Sequence, residues 1–121
     1  MVNSNQIVQR CIDECLQCVR LCSECRDESL SEDPVMMRES IRLCGDCLEL
    51  CRTCAVMLAS NSRFAHLICG VCAEVCEACA AECGKYQGET MRKCAEACRR
   101  CSATCREVAQ AGPIRRAAAQ A

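Results

Sequence analysis

Cys69-Gly70-Val71-Cys72-Ala73-Glu74-Val75-Cys76-Glu77-Ala78-Cys79-Ala80-Ala81-Glu82-Cys83 decides the fold. The steps between its cysteines alternate between three and four residues. That is a mean repeat of about 3.5, the heptad seam of a packed helix, whereas a half-buried strand needs a repeat of two. Side chains at these spacings stack on one helix face. A helix with such a stripe presents sulfur where a bundle normally presents leucine.

The same alternation runs through three other stretches. One holds Cys11, Cys15, Cys18, Cys22 and Cys25; one holds Cys44, Cys47, Cys51 and Cys54; the last holds Cys94, Cys98, Cys101 and Cys105. Four seamed segments with short links predict an all-α fold, an antiparallel up-down-up-down four-helix bundle with a cysteine-lined core. Helices are expected at about 4–28, 34–59, 62–85 and 89–110. Asp33-Pro34 supplies a cap followed by proline at the first helical position, and Asn61-Ser62 offers a second cap. Gly84 and Gly88 bracket the third link, and Gly112-Pro113 stops the last helix. Residues 1–112 therefore read as a single metal-binding domain and 113–121 as a frayed tail.

Composition agrees. Cysteine fills 18 of 121 positions, while Leu, Ile, Val and Phe together fill only 22. Cysteine stands where the core should be. Ile12 and Val19, Ile41 and Leu48, and Ile68 and Val75 flank the stripe at seven-residue spacing and are expected to seal the gaps between helices. The fourth segment has mostly alanines and Val108, so it is expected to be the least stable without metal. Gly45 and Gly70, beside seam cysteines, read either as points of close helix approach or as tolerated helix glycines.

Several function classes fall away. A net charge of −1 and only two aromatics, Phe64 and Tyr86, leave nothing to grip or stack on nucleic acid. No apolar run of about 18 residues exists to span a membrane. Met1–Gln6 has neither the basic nor the apolar region of a secretory leader, so a reducing cytoplasmic setting is expected. No nucleophile–base pair is visible, and Glu74 and Glu77 have no His or Ser partner at useful spacing, so an enzyme is not expected.

Metal binding remains. A plain buried thiol is a small hydrophobe, but a core of them is inferior to leucine and open to oxidation. Disulfides within one helix would be strained, since both cysteines point the same way. Thiolate-only sites take Cu(I), zinc or iron–sulfur clusters. The seven Cys-x-x-Cys pairs interlace with Cys-x-x-x-Cys along unbroken helices, and nothing groups them into zinc-finger sets of four. The ferredoxin run Cys-x-x-Cys-x-x-Cys is missing.

Charge then separates the metals. A zinc ion on four thiolates carries a net charge of about −2, and stacking such sites in a core without Lys or Arg is costly. Cu(I) is satisfied by two thiolates, each of which can bridge two ions. The core then approaches neutrality, with a capacity on the order of 18 ions. So many ions imply storage. A zinc or general metal buffer and an iron–sulfur electron-transfer protein are the alternative readings.

Counting heptads beyond the cysteines puts Met37 seven before Cys44 and Met91 three before Cys94, both at the end near Cys25 and Cys83. Their thioethers are candidate ligands that pass ions inward; the alternative is methionine plugging a bundle end. Val8, Met57, Leu58, Phe64, His66 and Val108 collect at the other end, which is expected to be closed. His66, three before Cys69, is the candidate ligand there, or else a surface or capping histidine.

With its segments CxxxCxxCxxxCxxC, CxxCxxxCxxC, CxxCxxxCxxCxxxC and CxxxCxxCxxxC, the chain resembles the cytosolic branch of the bacterial copper storage proteins from Cys11 to Cys105. The resemblance implies a bundle folded even without metal, many Cu(I) ions on the core cysteines, and a homotetramer. It is consistent with copper chaperones or copper-receiving apo-enzymes as partners. All eighteen cysteines match the family's core pattern. The mouths depart from it: relatives often carry several His and Met there, and this chain has one His.

Overall fold

The computed structural model describes residues 4–114, so the expected tail lies outside the described residues from 115 onward. Four helices follow in order: α1 (Ser4–Glu32), α2 (Arg38–Ala59), α3 (Ala65–Cys83) and α4 (Glu89–Ala111). The links between them are five residues each, at 33–37, 60–64 and 84–88. Links that short make consecutive helices antiparallel neighbours. α1 packs on α2 and α4, and α3 packs on α2 and α4. The backbones of the diagonal pairs do not approach, so the helices form a ring around a central tube. No helix among the described residues is long and apolar enough to cross a membrane.

The boundaries shift for local reasons. α1 runs a turn past Glu28, because nothing before Pro34 interrupts it and Ser29 is buried on the seam (3% exposed). Asp33 does accept the Met36 N–H (3.0 Å) on its carboxylate and the Met37 N–H (2.9 Å) on its carbonyl. That cap organises a separate turn over 34–37, and α2 proper begins at Arg38.

Asn61 ends a helix rather than starting one. Its φ of +58° is left-handed, its N–H reaches Leu58 O (3.1 Å), and the Ser62 N–H reaches Met57 O (2.9 Å). This is the paired closure that finishes a helix through a left-handed residue. Ser62 Oγ then accepts the Phe64 N–H (3.1 Å), which delays α3 to Ala65. Gly88 (φ +115°) and Gly112 (φ +83°) flank α4 in conformations that glycine alone adopts without strain.

The paired aliphatics Ile12/Val19, Ile41/Leu48 and Ile68/Val75 are half-buried against the core, as the seam arithmetic requires. α4 compensates for its lack of large aliphatics with small residues. Ala95, Ala97, Ser102 and Thr104 are buried, and Ser102 Oγ donates to Ala73 O of α3 (3.0 Å). Its outer face pairs with both neighbours, through Arg100–Glu14 (3.2 Å) and Glu107–Arg10 (3.5 Å) to α1 and through Arg106–Glu77 (2.8 Å) to α3.

Candidate metal centre

Every one of the eighteen cysteines is a free thiol and completely buried (0% exposed). Their sulfurs fill the tube. Between α1 and α4, Cys11 meets Cys105 at 3.6 Å, Cys15 meets Cys101 at 3.7 Å and Cys22 meets Cys94 at 3.7 Å. Between α2 and α3, Cys47 meets Cys76 at 3.5 Å, Cys51 meets Cys72 at 3.6 Å and Cys44 meets Cys79 at 3.7 Å. Sulfurs also meet across the diagonal from α2 to α4, with Cys51–Cys101 at 3.7 Å and Cys47–Cys98 at 3.8 Å. The helix axes stand apart, so sulfur alone bridges the middle of the bundle.

Quartets of these sulfurs lie within 4.8 Å of one another. Cys15, Cys72, Cys101 and Cys105 form one; Cys51, Cys72, Cys76 and Cys101 form the next; Cys18, Cys47, Cys51 and Cys76 adjoin it. Toward the other end stand Cys22, Cys79, Cys94 and Cys98, then Cys25, Cys44, Cys83 and Cys94. The quartets overlap: Cys51, Cys72, Cys76, Cys101 and Cys94 each belong to at least two. A chain of separate four-thiolate zinc sites needs quartets that do not share. A chain of bridging thiolates needs the sharing seen here.

Charge makes the same distinction. The buried polar residues among the described ones are Ser29, Ser40, Glu82, Ser102 and Thr104, and none is basic. Among the described residues no buried cation stands beside the sulfurs, so the core is neutral only if each thiolate gains one positive charge, from a proton or from a monovalent metal.

Without metal, the protons are shared along the network. Cys22 is held up in its protonated form, first by its hydrogen bond with Cys18, and Cys94 is pulled down, first by its hydrogen bond with Cys22. Cys25 is also held up, by Cys44 before Cys83 and Cys94, with burial adding to the effect. Cys18 instead donates to a backbone acceptor, Ala97 O, at 3.3 Å.

The ends of the tube differ. Met37 and Met91 are both buried (7% exposed), and the Cys25 thiol reaches Met91 Sδ at 3.2 Å, so the thioether stands where the seam count places it. Beside this end, the nearly buried Glu82 accepts from Lys85 Nζ (3.0 Å) and Tyr86 Oη (3.2 Å), which ties the α3–α4 link down. At the opposite end Leu58, Val108 and Ala65 are buried, with Ile7, Val8 and Met57 packed beside them.

Phe64 does not belong to that plug. It is 51% exposed, and the Arg63 guanidinium lies 4.8 Å over its ring, because the Ser62 turn carries it out of the bundle. Ala65 fills the position instead, too small a residue to draw notice in the sequence. His66 is half-buried, and its Nδ1 is buried without a hydrogen-bond partner among the described residues. Ser40, completely buried at the other end, has the same feature at Oγ; its place on the α2 stripe, four residues before Cys44, is the signal that marks it.

Residues 4–110 match the sequence profile of the family described as "Csp: Copper storage protein". The chain is 34% identical over 90 residues to the cysteine-rich protein YhjQ of Bacillus subtilis (strain 168), covering 74% of this chain and 83% of that one. Among solved structures it is similar to the Cu(I)-bound copper storage protein BsCsp3, with a TM-score of 0.82, 34% identity, and coverage of 86% of this chain and 99% of that one. It is also similar to a cytosolic copper storage protein from Streptomyces lividans loaded with five coppers, with a TM-score of 0.80, 36% identity, and coverage of 86% and 92%. A sulfur-filled four-helix tube and a profile match across nearly all of its length lead to one conclusion: the chain belongs to the copper storage protein family.

Proposed function

We propose that this protein stores Cu(I), holding close to one ion per core thiol and on the order of 18 in all. One observation carries the reading: overlapping thiol quartets, wholly buried, with no buried cation beside them among the described residues. Each arriving Cu⁺ replaces one proton, so the core stays neutral as it fills. Neighbouring ions share a bridging thiolate, which is what the doubly used cysteines permit.

Ions enter past Met37 and Met91, whose soft, uncharged thioethers hand them to Cys25 and Cys83. His66 serves as a ligand at the more apolar end. Copper carriers and copper-receiving apo-enzymes are the exchange partners, in a reducing cytoplasm where thiols persist. Half-exposed Leu16, Val56, Leu67 and Val71 support assembly as a homotetramer. Copper sealed between two thiolates leaves no position for a substrate, so the protein has no catalytic turnover.

The test is an anaerobic titration of the reduced protein with Cu(I) against a chromophoric Cu(I) chelator, with zinc in parallel. The protein is expected to withhold on the order of 18 equivalents, releasing about one proton for each, and zinc is expected not to displace them. Saturation after a few ions, or displacement by zinc, would refute the neutral-core argument.

A further inference from the structure

The cysteine stripe of α2 does not stop at Cys44. The three- and four-residue steps carry it back through Ser40 to Met37. Ser40 is as deeply buried as the cysteines, at 0% exposure. Yet its hydroxyl meets no hydrogen-bond partner among the described residues.

Six other hydroxyls among the described residues find a carbonyl. Ser23, Ser31, Thr53 and Ser60 each donate to the carbonyl four residues back, at 2.6, 3.1, 3.0 and 3.0 Å. The buried Ser102 and Thr104 donate to Ala73 O and Cys101 O. An unpaired buried hydroxyl costs stability, and a native protein that retains one needs a reason.

Ser40 stands one helical turn before Cys44 on the same face. Cys44 belongs to the outermost quartet, with Cys25, Cys83 and Cys94. Before metal arrives, Cys44 shares protons with Cys79, Cys83 and Cys94 at 3.7, 3.8 and 3.9 Å. Loading removes those protons, so the quartet loses its donors as its sulfurs become anionic. A hydroxyl that has not committed its proton to a carbonyl can then supply it to a sulfur.

We propose that Ser40 is a positioning residue for the stored ions: its hydroxyl donates to a Cu(I)-bound thiolate of the outermost quartet, Cys44 in the first place, and slows loss of copper from the methionine end. This rests on the Cu(I)-storage reading. A hydrogen bond to a charged sulfur is stronger than one between neutral groups, so its loss is expected to speed release about tenfold.

The experiment loads wild type, Ser40→Ala and Ser40→Cys to saturation without oxygen and follows copper withdrawal by a chromophoric Cu(I) chelator. Metal-free samples of each are melted in parallel. Ser40→Ala should give up its fastest-leaving copper about tenfold sooner. Its metal-free form should melt no lower than wild type, because no bond is lost. Ser40→Cys should bind about one further equivalent, since a thiol there lengthens the stripe.

Release from Ser40→Ala at the wild-type rate overturns the proposal. So does a lower melt of its metal-free form, the mark of a serine that holds a structural water or carbonyl. No gain in capacity for Ser40→Cys shows that position 40 does not face the sulfurs and overturns it too. Wild type that withholds only a few ions defeats the storage reading, and Ser40's role with it; wild type that fills normally while Ser40→Ala is indistinguishable defeats the Ser40 role alone.

Discussion

Cys25 and Met91 meet thiol to thioether at 3.2 Å, and that contact separates two roles a methionine can have at a bundle end. A plug needs only volume; a relay needs sulfur. Exchanging Met37 and Met91 together for leucine keeps the volume nearly constant, so the fold is retained. The Met37→Leu/Met91→Leu protein is expected to reach full copper capacity but to fill roughly tenfold more slowly, the low end of what losing a supporting group costs a metal site. His66→Ala is expected to fill at the wild-type rate, because Leu58, Val108 and Ala65 close that end. Stopped-flow ultraviolet absorbance of the Cu(I)–thiolate chromophore checks both, and equal rates for wild type and the methionine variant would leave the methionines as plugs. Both methionines could be found by counting heptads outward from Cys44 and Cys94. Ser40 lies on the same count, four before Cys44, but a serine in an amphipathic helix reads as a surface residue, so its residue type hides what its position gives. Phe64 misleads in the opposite direction, since a large aromatic beside a seam reads as core until the Ser62 turn is seen to carry it outward.

At the scale of the helices, the two glycines that adjoin seam cysteines settle a question the sequence left open. A Cβ on Gly45 would lie 3.7 Å from Arg26 Nε, and one on Gly70 would lie 3.8 Å from Ala109 Cβ. Both are ordinary contacts, so neither glycine is needed for close helix approach. Gly45→Ala and Gly70→Ala are each expected to stabilise the metal-free protein by about 0.5–1 kcal/mol, through reduced backbone freedom in the unfolded chain. Denaturant melts followed by far-ultraviolet circular dichroism would measure this, and a loss of stability would reveal a clash that these distances do not contain. Helix number, type and order were legible because a 3.5-residue cysteine repeat admits no other element. The ends were less so: α1 overruns its predicted stop because nothing before Pro34 interrupts it and Ser29 is buried on the seam, and α3 starts late because Asn61 closes α2 with a left-handed turn.

Across the whole molecule, one set of atoms serves as both hydrophobic core and ligand set. Metal-free, the four helices are held by buried alanines, half-buried aliphatics at the seams, and thiols that share protons among themselves. Loaded, the same sulfurs are joined through copper, and contacts such as Cys47–Cys98 and Cys51–Cys101 link helices whose backbones never meet. Ions that bind the folded tube and find no comparable site in the unfolded chain stabilise it by mass action. One such site at a thousandfold excess over its dissociation constant contributes about 4 kcal/mol. For a domain of this size that alone raises the melting temperature by roughly 10–20 °C. Several sites add to it, so fully loaded protein is expected to stay folded well beyond the metal-free melt in anaerobic calorimetry. Because the quartets overlap in two runs along the tube, stability is expected to climb progressively as copper is added rather than to jump with the first ion. A melt that does not move with loading would mean that copper binds outside the tube. A melt that rises fully with one or two equivalents would mean that a few sulfurs dominate and that the remaining thiols are packing rather than store.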